Sequence, residues 1–291
     1  MKQFILKNGY DRNGRILFEN SDYRHLVKVR RLAPGEYFPA LLPCGDKVLV
    51  RVCSVDKKTL VGEITDDRNI IEENTEACPK TIRKPKAALA AAAIAQAATA
   101  PLPPIILFQA LPKGDKMDLI VRQAAEGGLA EIVPFASEFS TAKINRSGQK
   151  FSRWERIIKE ARQQSGSAVE TVIREPVPAD GILSCWEQVK ARYPGVIGLL
   201  FHHLPVANKS LHSYLSNNMK GKQVQTFWPE AVVLAVGPEG GFSPIEADCF
   251  AAAGFRPYTI RGAILRTETA ALYAAAAVQI ILAERDSWET K

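Results

Sequence analysis

The pattern of apolar and polar positions changes near residue 75. Before it, short apolar runs separated by turn residues predict strands at residues 3–6, 14–18, 36–42, 47–54 and 59–64. In the fourth run, two alternating sets of side chains are both partly apolar, as expected for a small closed sheet. We therefore predict a compact β-barrel-like domain over residues 1–75.

From residue 105 onward, predicted strands and helices alternate. Strands are expected at residues 105–109, 131–135, 196–201, 231–236 and 258–260, and helices at 116–125, 152–164 and 210–217. Such a βαβ succession predicts an α/β domain over residues 105–291, with a mostly parallel sheet covered by helices on both faces. Residues 76–104 include an alanine-rich and a proline-rich stretch, and we expect a linker with a docked helix there.

The helix predicted at residues 152–164 has one apolar and one charged face. Its apolar positions recur at i, i+3, i+4 and i+7, which predicts a buried stripe of Trp154, Ile157, Ile158 and Ala161. The other face carries Arg153, Arg156, Lys159, Arg162 and Gln163. Such a face is either only solvated or in contact with phosphate. The basic residues just before it, Lys143, Arg146 and Lys150, favour phosphate contact.

A glycine-rich segment, residues 237–241, follows the apolar run at residues 231–236. Glycines remove the side chains that would keep the backbone away from a ligand. Ser243, Pro244 and Glu246 then stand in the order of a capping box with proline in the first turn, so a helix is predicted to begin there.

A second loop of the same kind ends at Thr267. It precedes an alanine-rich apolar run, residues 270–283, which has the length of a helix packed on a sheet. Two loops that connect a strand with a helix at the same edge of a parallel sheet predict one binding crevice.

Composition and charge narrow the choice of partner. The chain has 291 residues, 46% of them hydrophobic, which is enough for one large or two smaller cores. The formal net charge of +7 favours an anionic partner, most often a nucleic acid. The start of the chain has no signal-peptide pattern, and no run of about 18 apolar residues is present, so we expect a cytoplasmic protein.

Several kinds of site are excluded by spacing. The five cysteines are scattered without a CxxC pair, and the four histidines lack the spacing of a metal cluster, so neither a disulfide framework nor a metal is predicted. The G-x-G-x-x-G pattern of dinucleotide sites and the phosphate-binding P-loop pattern are both absent from the sequence.

Five segments resemble one known family in order and in sequence. They are HLVKVRR at residues 25–31, QALPKGDKM at 109–117, QQSG at 163–166, GPEGGFSPIE at 237–246 and ILRTETA at 264–270. The chain resembles the bacterial 16S ribosomal RNA uracil-N3 methyltransferases of the RsmE type, in the SPOUT superfamily. The resemblance covers most of the chain.

The resemblance implies a SPOUT fold in which three late loops form a trefoil knot, a PUA-like RNA-binding domain at the N-terminus, and a homodimer. It implies S-adenosylmethionine as the cofactor, bound in the crevice between the loops. The residues that it implies for cofactor binding are Leu200, Phe201, His202, Gly237, Pro238, Gly240, Ile260, Gly262, Leu265 and Thr269. His202 could equally cap the end of its strand.

The implied reaction is methylation of N3 of a uridine in small-subunit ribosomal RNA, uridine 1498 by the resemblance. The N3 proton must leave, so a general base or a group that stabilises the anion is useful. Arg266 is the candidate for holding the uracil or its phosphate, and Glu239 or Glu268 for accepting the proton. Either glutamate has an alternative role, Glu239 in pinning its loop and Glu268 at a helix N-terminus.

The implied RNA contacts are mostly basic. They are His25, Lys28, Arg30, Arg31, Lys113, Lys116, Arg162 and Gln163, with the first four expected on the accessible surface of a short helix. Assembled small subunits are the expected RNA partner, as part of ribosome biogenesis.

The chain departs from the family pattern at several places. Residues 126–129 read EGGL, Ser167 stands where an arginine is frequent, and the third loop begins RGAI at residue 261. The linker is also longer than usual. Two alternatives therefore stay open: a SPOUT methyltransferase for another nucleotide, and a non-catalytic RNA-binding protein of ribosome assembly.

Overall fold

The computed structural model describes residues 4–6, 14–42, 47–65, 102–141, 148–202, 210–216, 228–260, 262 and 264–284. Most of the predicted linker, together with Lys143 and Arg146, lies outside these residues. The chain divides into two compact units, one with residues 1–98 and 162–170 and the other with residues 99–161 and 171–291. Each unit is described separately.

The first unit contains a five-stranded sheet. Its strands are β1 (Phe4–Ile5), β2 (Arg15–Glu19), β3 (Tyr37–Leu41), β4 (Lys47–Val55) and β5 (Thr59–Thr65). Their order is β1-β3-β4-β5-β2, antiparallel except for the β1–β3 pair. A short helix α1 (Asn20–Tyr23) continues into a π-helical turn at Arg24–Val29. The mainly antiparallel sheet fits the small barrel-like domain predicted from the sequence.

One apolar cluster forms the core of this sheet. Phe4, Phe18 and Phe38 contact one another edge to face, with ring centroids 5.6–6.5 Å apart. Leu26 of the π-helical turn is fully buried in the same cluster. The turn therefore packs Leu26 on the sheet, while Arg24 and Lys28 are exposed.

The second unit contains a six-stranded parallel sheet. Its strands are β6 (Ile105–Ala110), β7 (Glu131–Phe135), β8 (Val172–Ile173), β9 (Ile197–Phe201), β10 (Val232–Val236) and β11 (Arg256–Tyr258). Their order is β11-β9-β10-β6-β7-β8, and every described pairing is parallel. In register, Val236 lies opposite both Phe201 and Gln109, so the central strands end together at one edge.

Helices cover both faces of this sheet. They are α2 (Lys116–Glu126), α3 (Gly148–Ser165), α4 (Gly181–Arg192), α5 (Leu211–Ser216), α6 (Pro244–Ala252) and α7 (Thr267–Ala283). Alternate residues of β6 enter two different cores: Ile105 and Leu107 pack with α2, α3 and α7, whereas Ile106 and Phe108 pack with α4 and α6. Burial on both faces explains why the central strands are apolar throughout. The predicted α/β architecture is confirmed.

Several local predictions agree with the structure. Ser243 caps α6, accepting a hydrogen bond from the Glu246 N–H, and the Glu246 side chain accepts one from the Ser243 N–H, which completes the capping box. The stripe from Trp154 to Ala161 is buried, as its spacing predicted. Among the described residues, no helix is long and apolar enough to cross a membrane.

Other predictions need correction. The last strand runs over Arg256–Tyr258, not 258–260, because its register is set by pairing with Leu199–Phe201 of β9. Strand β8 and helix α4 were not predicted. On α3, Arg162 and Gln163 were assigned to the charged outer face, but their side chains are 5% and 6% exposed. Their burial reflects tertiary packing, which helical spacing alone does not contain.

Candidate functional site

A cavity of about 760 Å³ opens at the carboxyl edge of the parallel sheet. It lies where β9 ends at Phe201, where β10 ends at Val236 and where α7 begins at Thr267. Three segments line it: residues 201–202, residues 236–242, and residues 258–260, 262, 264, 265, 267 and 270. Ligands of parallel α/β sheets bind at this edge, because the loops that follow neighbouring strands meet there.

The glycine segment is packed too closely for side chains. A Cβ on Gly237 would lie 3.0 Å from the carbonyl carbon of Gly241, and a Cβ on Gly240 would lie 2.9 Å from the Cβ of Phe139. Gly241 also has φ of 73°, a left-handed conformation that favours glycine. The segment therefore brings bare backbone to the wall of the cavity.

Buried hydrogen bonds of Gln109 and Thr267, which we call the polar brace, connect the loops of the cavity. The Thr267 hydroxyl donates to the Gly237 carbonyl at 2.6 Å and accepts from the Gln109 amide at 3.1 Å. The same amide donates to the Ala110 carbonyl at 2.8 Å. Gln109 and Thr267 are both buried, so these bonds are shielded from water. The brace joins the ends of β6, β10 and the start of α7.

Glu239 connects the glycine segment with the loop after β6. Its carboxylate accepts hydrogen bonds from the Lys113 N–H at 3.1 and 3.2 Å and from the Lys116 ammonium at 2.7 Å. The same ammonium lies 3.6 Å from Oε2 of Glu268, a buried oxygen without a hydrogen-bond partner. Lys116 therefore stands between the two glutamates that the sequence named as candidate bases.

The pKa of Glu239 is lowered and the pKa of Lys116 is raised by the contact between them. Partial burial alone would raise the pKa of Glu239, but the hydrogen bonds from Lys116 and from backbone N–H groups outweigh it, and the pKa is lowered. The hydrogen bond to Glu239 raises the pKa of Lys116 against the opposing effect of desolvation. Glu239 thus stays ionised and saturated with donors, which makes it a poor proton acceptor.

Most of the predicted cofactor residues line the cavity. They are Phe201, His202, Gly237, Pro238, Gly240, Ile260, Gly262 and Leu265. The wall does not include Leu200, whose side chain is buried in the core beside α4 and α6, or Thr269, which is exposed in the first turn of α7. The backbone N–H of His202 donates to the Tyr258 carbonyl at 3.0 Å and joins two of the three segments.

Arg266 occupies the N-cap position of α7. Its side chain is exposed and makes no capping hydrogen bond. Glu268 follows it in the first turn, partly buried and close to Lys116. Neither side chain is part of the cavity wall. Both residues are adjacent in sequence to Thr267, which does line the cavity. The two predicted groups are therefore adjacent in sequence to the cavity wall but do not line it.

The predicted RNA-binding residues of the first unit surround the π-helical turn. Lys28 and Arg31 are exposed, and Arg31 has φ of 56°, a left-handed conformation uncommon outside glycine. His25 and Arg30 are half-buried: the His25 ring lies 5.3 Å from the Phe4 ring, and the Arg30 guanidinium lies 6.0 Å from the Phe38 ring. Only part of the expected basic surface is fully accessible.

Of the other four residues predicted to bind RNA, only one has an exposed side chain. The Lys113 side chain is exposed. Lys116 is bound to Glu239 and Glu268, so its charge is already neutralised. Arg162 and Gln163 are buried, and burial lowers the pKa of Arg162 although nearby Glu170 acts in the opposite direction. These three residues are poorly placed for phosphate contact in this structure.

Sequence reasoning did not identify the roles of Gln109 and Thr267. A polar residue within the apolar run 105–110 was the available signal for Gln109, since buried strands seldom hold an unpaired amide. A second charged cluster was missed as well: Arg174 and Arg192 each contact the buried carboxylate of Glu131 at 2.6 Å, beside a cavity of about 460 Å³. Among the described residues, no three His, Cys, Asp or Glu side chains are grouped as metal ligands.

Comparisons with known proteins identify relatives. The family described as RNA methyltransferase domain matches residues 99–279. The ribosomal RNA small subunit methyltransferase E of Synechocystis is 32% identical over 180 residues, which cover 62% of this chain and 54% of that protein. The ribosomal RNA small subunit methyltransferase E 2 of Borreliella burgdorferi is 27% identical over 291 residues, which cover 97% of this chain and 98% of that protein.

A solved structure shares the fold. The crystal structure of a ribosomal RNA small subunit methyltransferase E from Neisseria gonorrhoeae, bound to S-adenosyl methionine, aligns with a TM-score of 0.64 over 97% of this chain and 98% of that one, at 24% identity. At this level of identity the likeness concerns the fold. The family match covers more than half of the chain and contains every residue of the cavity wall. The chain therefore belongs to the RNA methyltransferase domain family.

Proposed function

We propose that this protein is an S-adenosylmethionine-dependent methyltransferase that modifies N3 of a uridine in 16S ribosomal RNA, with uridine 1498 as the target by family resemblance. The observation that carries the proposal is the cavity at the carboxyl edge of the sheet, whose wall includes all of the GPEGG segment and four residues of the ILRTETA segment, Ile264, Leu265, Thr267 and Ala270. The RNA methyltransferase domain match supports it.

The cavity fits S-adenosylmethionine in size and chemistry. Small-molecule sites usually enclose about 300–1,000 Å³ and combine apolar walls with a few polar groups. Ile260 and Leu265 would contact the adenine, and Gly237 and Gly240 would allow close approach of the ribose and methionine portions. Two carboxylates, Glu239 in the wall and Glu268, share the single ammonium of Lys116, so one formal negative charge remains there and favours a positively charged ligand. S-adenosylmethionine supplies a methyl group on a sulfonium, whose charge disappears on transfer.

The protein must remove the N3 proton of the uracil and stabilise the resulting negative charge. We assign charge stabilisation to Arg266, because it is exposed next to Thr267 of the cavity wall and makes no capping hydrogen bond. We assign proton acceptance to Glu268 over Glu239. The Glu268 carboxylate has only a longer contact with Lys116, 3.6 Å from its Oε2, whereas Glu239 accepts hydrogen bonds from the Lys113 N–H at 3.1 Å and from Lys116 at 2.7 Å. Glu239 then acts as the residue that positions the glycine segment.

RNA binding is proposed for the first unit and for Lys113 in the loop after β6. Lys28, Arg31 and Lys113 have exposed side chains suited to phosphate contact. The net charge of +7 supports an anionic partner. We further propose that the first unit is PUA-like, with domain boundaries at residues 1–75 and 105–291, and that the protein acts in the cytoplasm.

We also propose a homodimer and a knotted arrangement of the three late loops, both on family resemblance. Support for the dimer comes from α7, which exposes Leu272, Tyr273 and Ile280 on a helix that is otherwise largely buried. Large exposed apolar side chains on one helix are typical of an interface.

Methyl transfer from labelled S-adenosylmethionine to unmodified 30S subunits tests the proposal, with the product nucleoside identified by mass spectrometry. We expect N3-methyluridine with the natural protein and a kcat about 100-fold lower with Glu268→Gln, as for loss of a general base. Glu239→Gln should retain more activity than Glu268→Gln. The opposite order would contradict the assignment of the base.

The two alternatives give different results in the same experiment. Detection of another methylated nucleoside would support a methyltransferase that acts on a different nucleotide. Binding of S-adenosylmethionine without transfer to 30S subunits or to naked 16S RNA would support a non-catalytic role in ribosome assembly.

A further inference from the structure

We propose that Phe139 is the aromatic platform on which the target uracil stacks while it receives the methyl group. This inference rests on the proposed function. Phe139 lies in the turn after β7, a segment that the family-like motifs do not include. Its side chain is 45% exposed, although it is large and apolar. An exposed phenylalanine beside a ligand cavity calls for a partner in a way that a scattered surface residue does not.

Phe139 lies directly against the cavity wall. The position that a Cβ on Gly240 would take is 2.9 Å from the Cβ of Phe139 and 3.4 Å from its Cγ. Gly240 itself lines the cavity, within the segment proposed to approach the cofactor. A base that receives a methyl group from this cavity must come within contact distance of the same segment. The exposed ring is therefore near the place where the base has to be.

The turn that carries Phe139 is held by hydrogen bonds to Glu246 and within the turn. The carboxylate of Glu246 accepts a hydrogen bond from the Ser137 hydroxyl at 3.0 Å and one from the Glu138 N–H at 2.9 Å. The same carboxylate accepts from the Ser243 N–H and completes the capping box of α6. Within the turn, the Ser140 N–H donates to the Ser137 carbonyl at 2.9 Å. The helix start that follows the glycine segment thus also fixes the aromatic residue beside it.

Stacking on Phe139 would supply a contact to the face of the uracil, which Arg266 and Glu268 do not provide. A base that reacts at a ring nitrogen has to leave its stack, and enzymes of this kind compensate with aromatic or apolar contacts to its faces. Arg266 is proposed to stabilise charge at the edge of the uracil, and Glu268 to accept its proton. Neither offers a flat surface. Phe139 offers one, and its exposure leaves the ring available on at least one side.

The competing explanation is that Phe139 only packs against Gly240. Substitutions of Phe139 separate this packing role from stacking of the uracil. Phe139→Leu keeps an apolar side chain of similar reach but removes the aromatic face. Phe139→Tyr and Phe139→Trp keep the face, and Phe139→Ala removes both. Val172→Ala serves as a control, since Val172 is exposed to a similar degree (49%) but lies in the edge strand β8, three strands from β10, whereas Phe139 contacts Gly240 of the wall.

The experiment measures kcat and KM for methylation of unmodified 30S subunits, together with the Kd for S-adenosylmethionine by calorimetry. Base stacking on an aromatic side chain corresponds to about 10-fold to 100-fold in affinity. We expect Phe139→Ala and Phe139→Leu to lower kcat/KM for 30S subunits by about 10-fold or more, and Phe139→Tyr and Phe139→Trp to stay within about threefold of the natural protein. The Kd for S-adenosylmethionine should change less than twofold in all four.

Wild-type activity from Phe139→Leu would overturn the inference, because an aliphatic side chain would then suffice. A parallel loss of cofactor affinity in Phe139→Ala and Phe139→Leu would also overturn it, since packing of the glycine segment would explain the defect. If the natural protein transfers no methyl group to 30S subunits, the proposed function fails and the inference with it. The two failures are therefore distinguishable in one data set.

Discussion

Two carboxylates at opposite places on the parallel sheet have similar contacts but different surroundings. Glu131 begins β7 and binds Arg174 and Arg192, both at 2.6 Å, with its own side chain 9% exposed. Glu239 lies in the loop after β10 and binds Lys116 and the Lys113 N–H, with its side chain 37% exposed. Each carboxylate thus collects two donors, and each lies beside a cavity.

The difference lies in what the contacts hold together. Glu131 joins the start of one strand to the residue after β8 and the end of α4, so its ion pairs fasten regular elements. Glu239 joins two loops, the glycine segment with Gly237, Gly240 and Gly241, and the loop that carries Lys113. Ion pairs between regular elements serve stability, whereas an ionised group between loops positions a binding surface. The comparison predicts that the two sites respond differently to the same kind of substitution.

The largest effect is expected from Gly240→Val. The added side chain would begin 2.9 Å from the Cβ of Phe139, so the glycine segment has to move away from the position that lines the cavity. We expect the affinity for S-adenosylmethionine to fall about 100-fold, which corresponds to about 3 kcal/mol. Calorimetric titration measures it. Gly148→Val is the matched control, because a Cβ there meets nothing within 4 Å. Unchanged affinity in Gly240→Val would show that the segment tolerates side chains.

A smaller effect, and the sharpest test of the comparison, comes from Glu131→Gln and Glu239→Gln. Glu131→Gln removes a nearly buried charge and leaves the guanidinium groups of Arg174 and Arg192 unpaired. Because these two groups are partly exposed, we expect the free energy of unfolding to fall by only about 1–2 kcal/mol. Glu239→Gln should cost about 0–1 kcal/mol, as for exposed ion pairs, but lower methyl transfer. Denaturant unfolding and initial rates measure both. Equal stability losses in the two variants would remove the distinction drawn here.

The smallest effect concerns pH. The lowered pKa of Glu239 means that its contribution to stability is full above its ordinary value of 4.5 and is lost as pH falls through the folded-state value. The raised pKa of Lys116 means that its contribution is full below 10.5 and is lost as pH rises through the folded-state value. A double-mutant cycle of Lys116→Met and Glu239→Gln should therefore give a coupling that is constant between these limits and declines outside them. A coupling that varies between pH 6 and 9 would contradict the assignment.

Features that depend on neighbouring residues were well predicted. The capping box at Ser243 and Glu246 was predicted because both of its hydrogen bonds join residues three apart. The strand at residues 105–109 was evident from its apolar run, and the stripe from Trp154 to Ala161 from its spacing. By contrast, α4 was missed although Ile182, Trp186 and Val189 have helical spacing.

The sequence by itself determined the parallel α/β architecture, the start of α6 and the edge of the sheet where the cavity lies, because apolar periodicity and caps are local properties. Only the tertiary structure decided which charged groups meet. Glu239 and Lys113 are 126 positions apart, and Gln109 and Thr267 are 158 apart. The burial of Arg162 and the exposure of Phe139 beside Gly240 likewise depend on what packs against each residue. Such contacts join distant segments, and no spacing along the chain contains them.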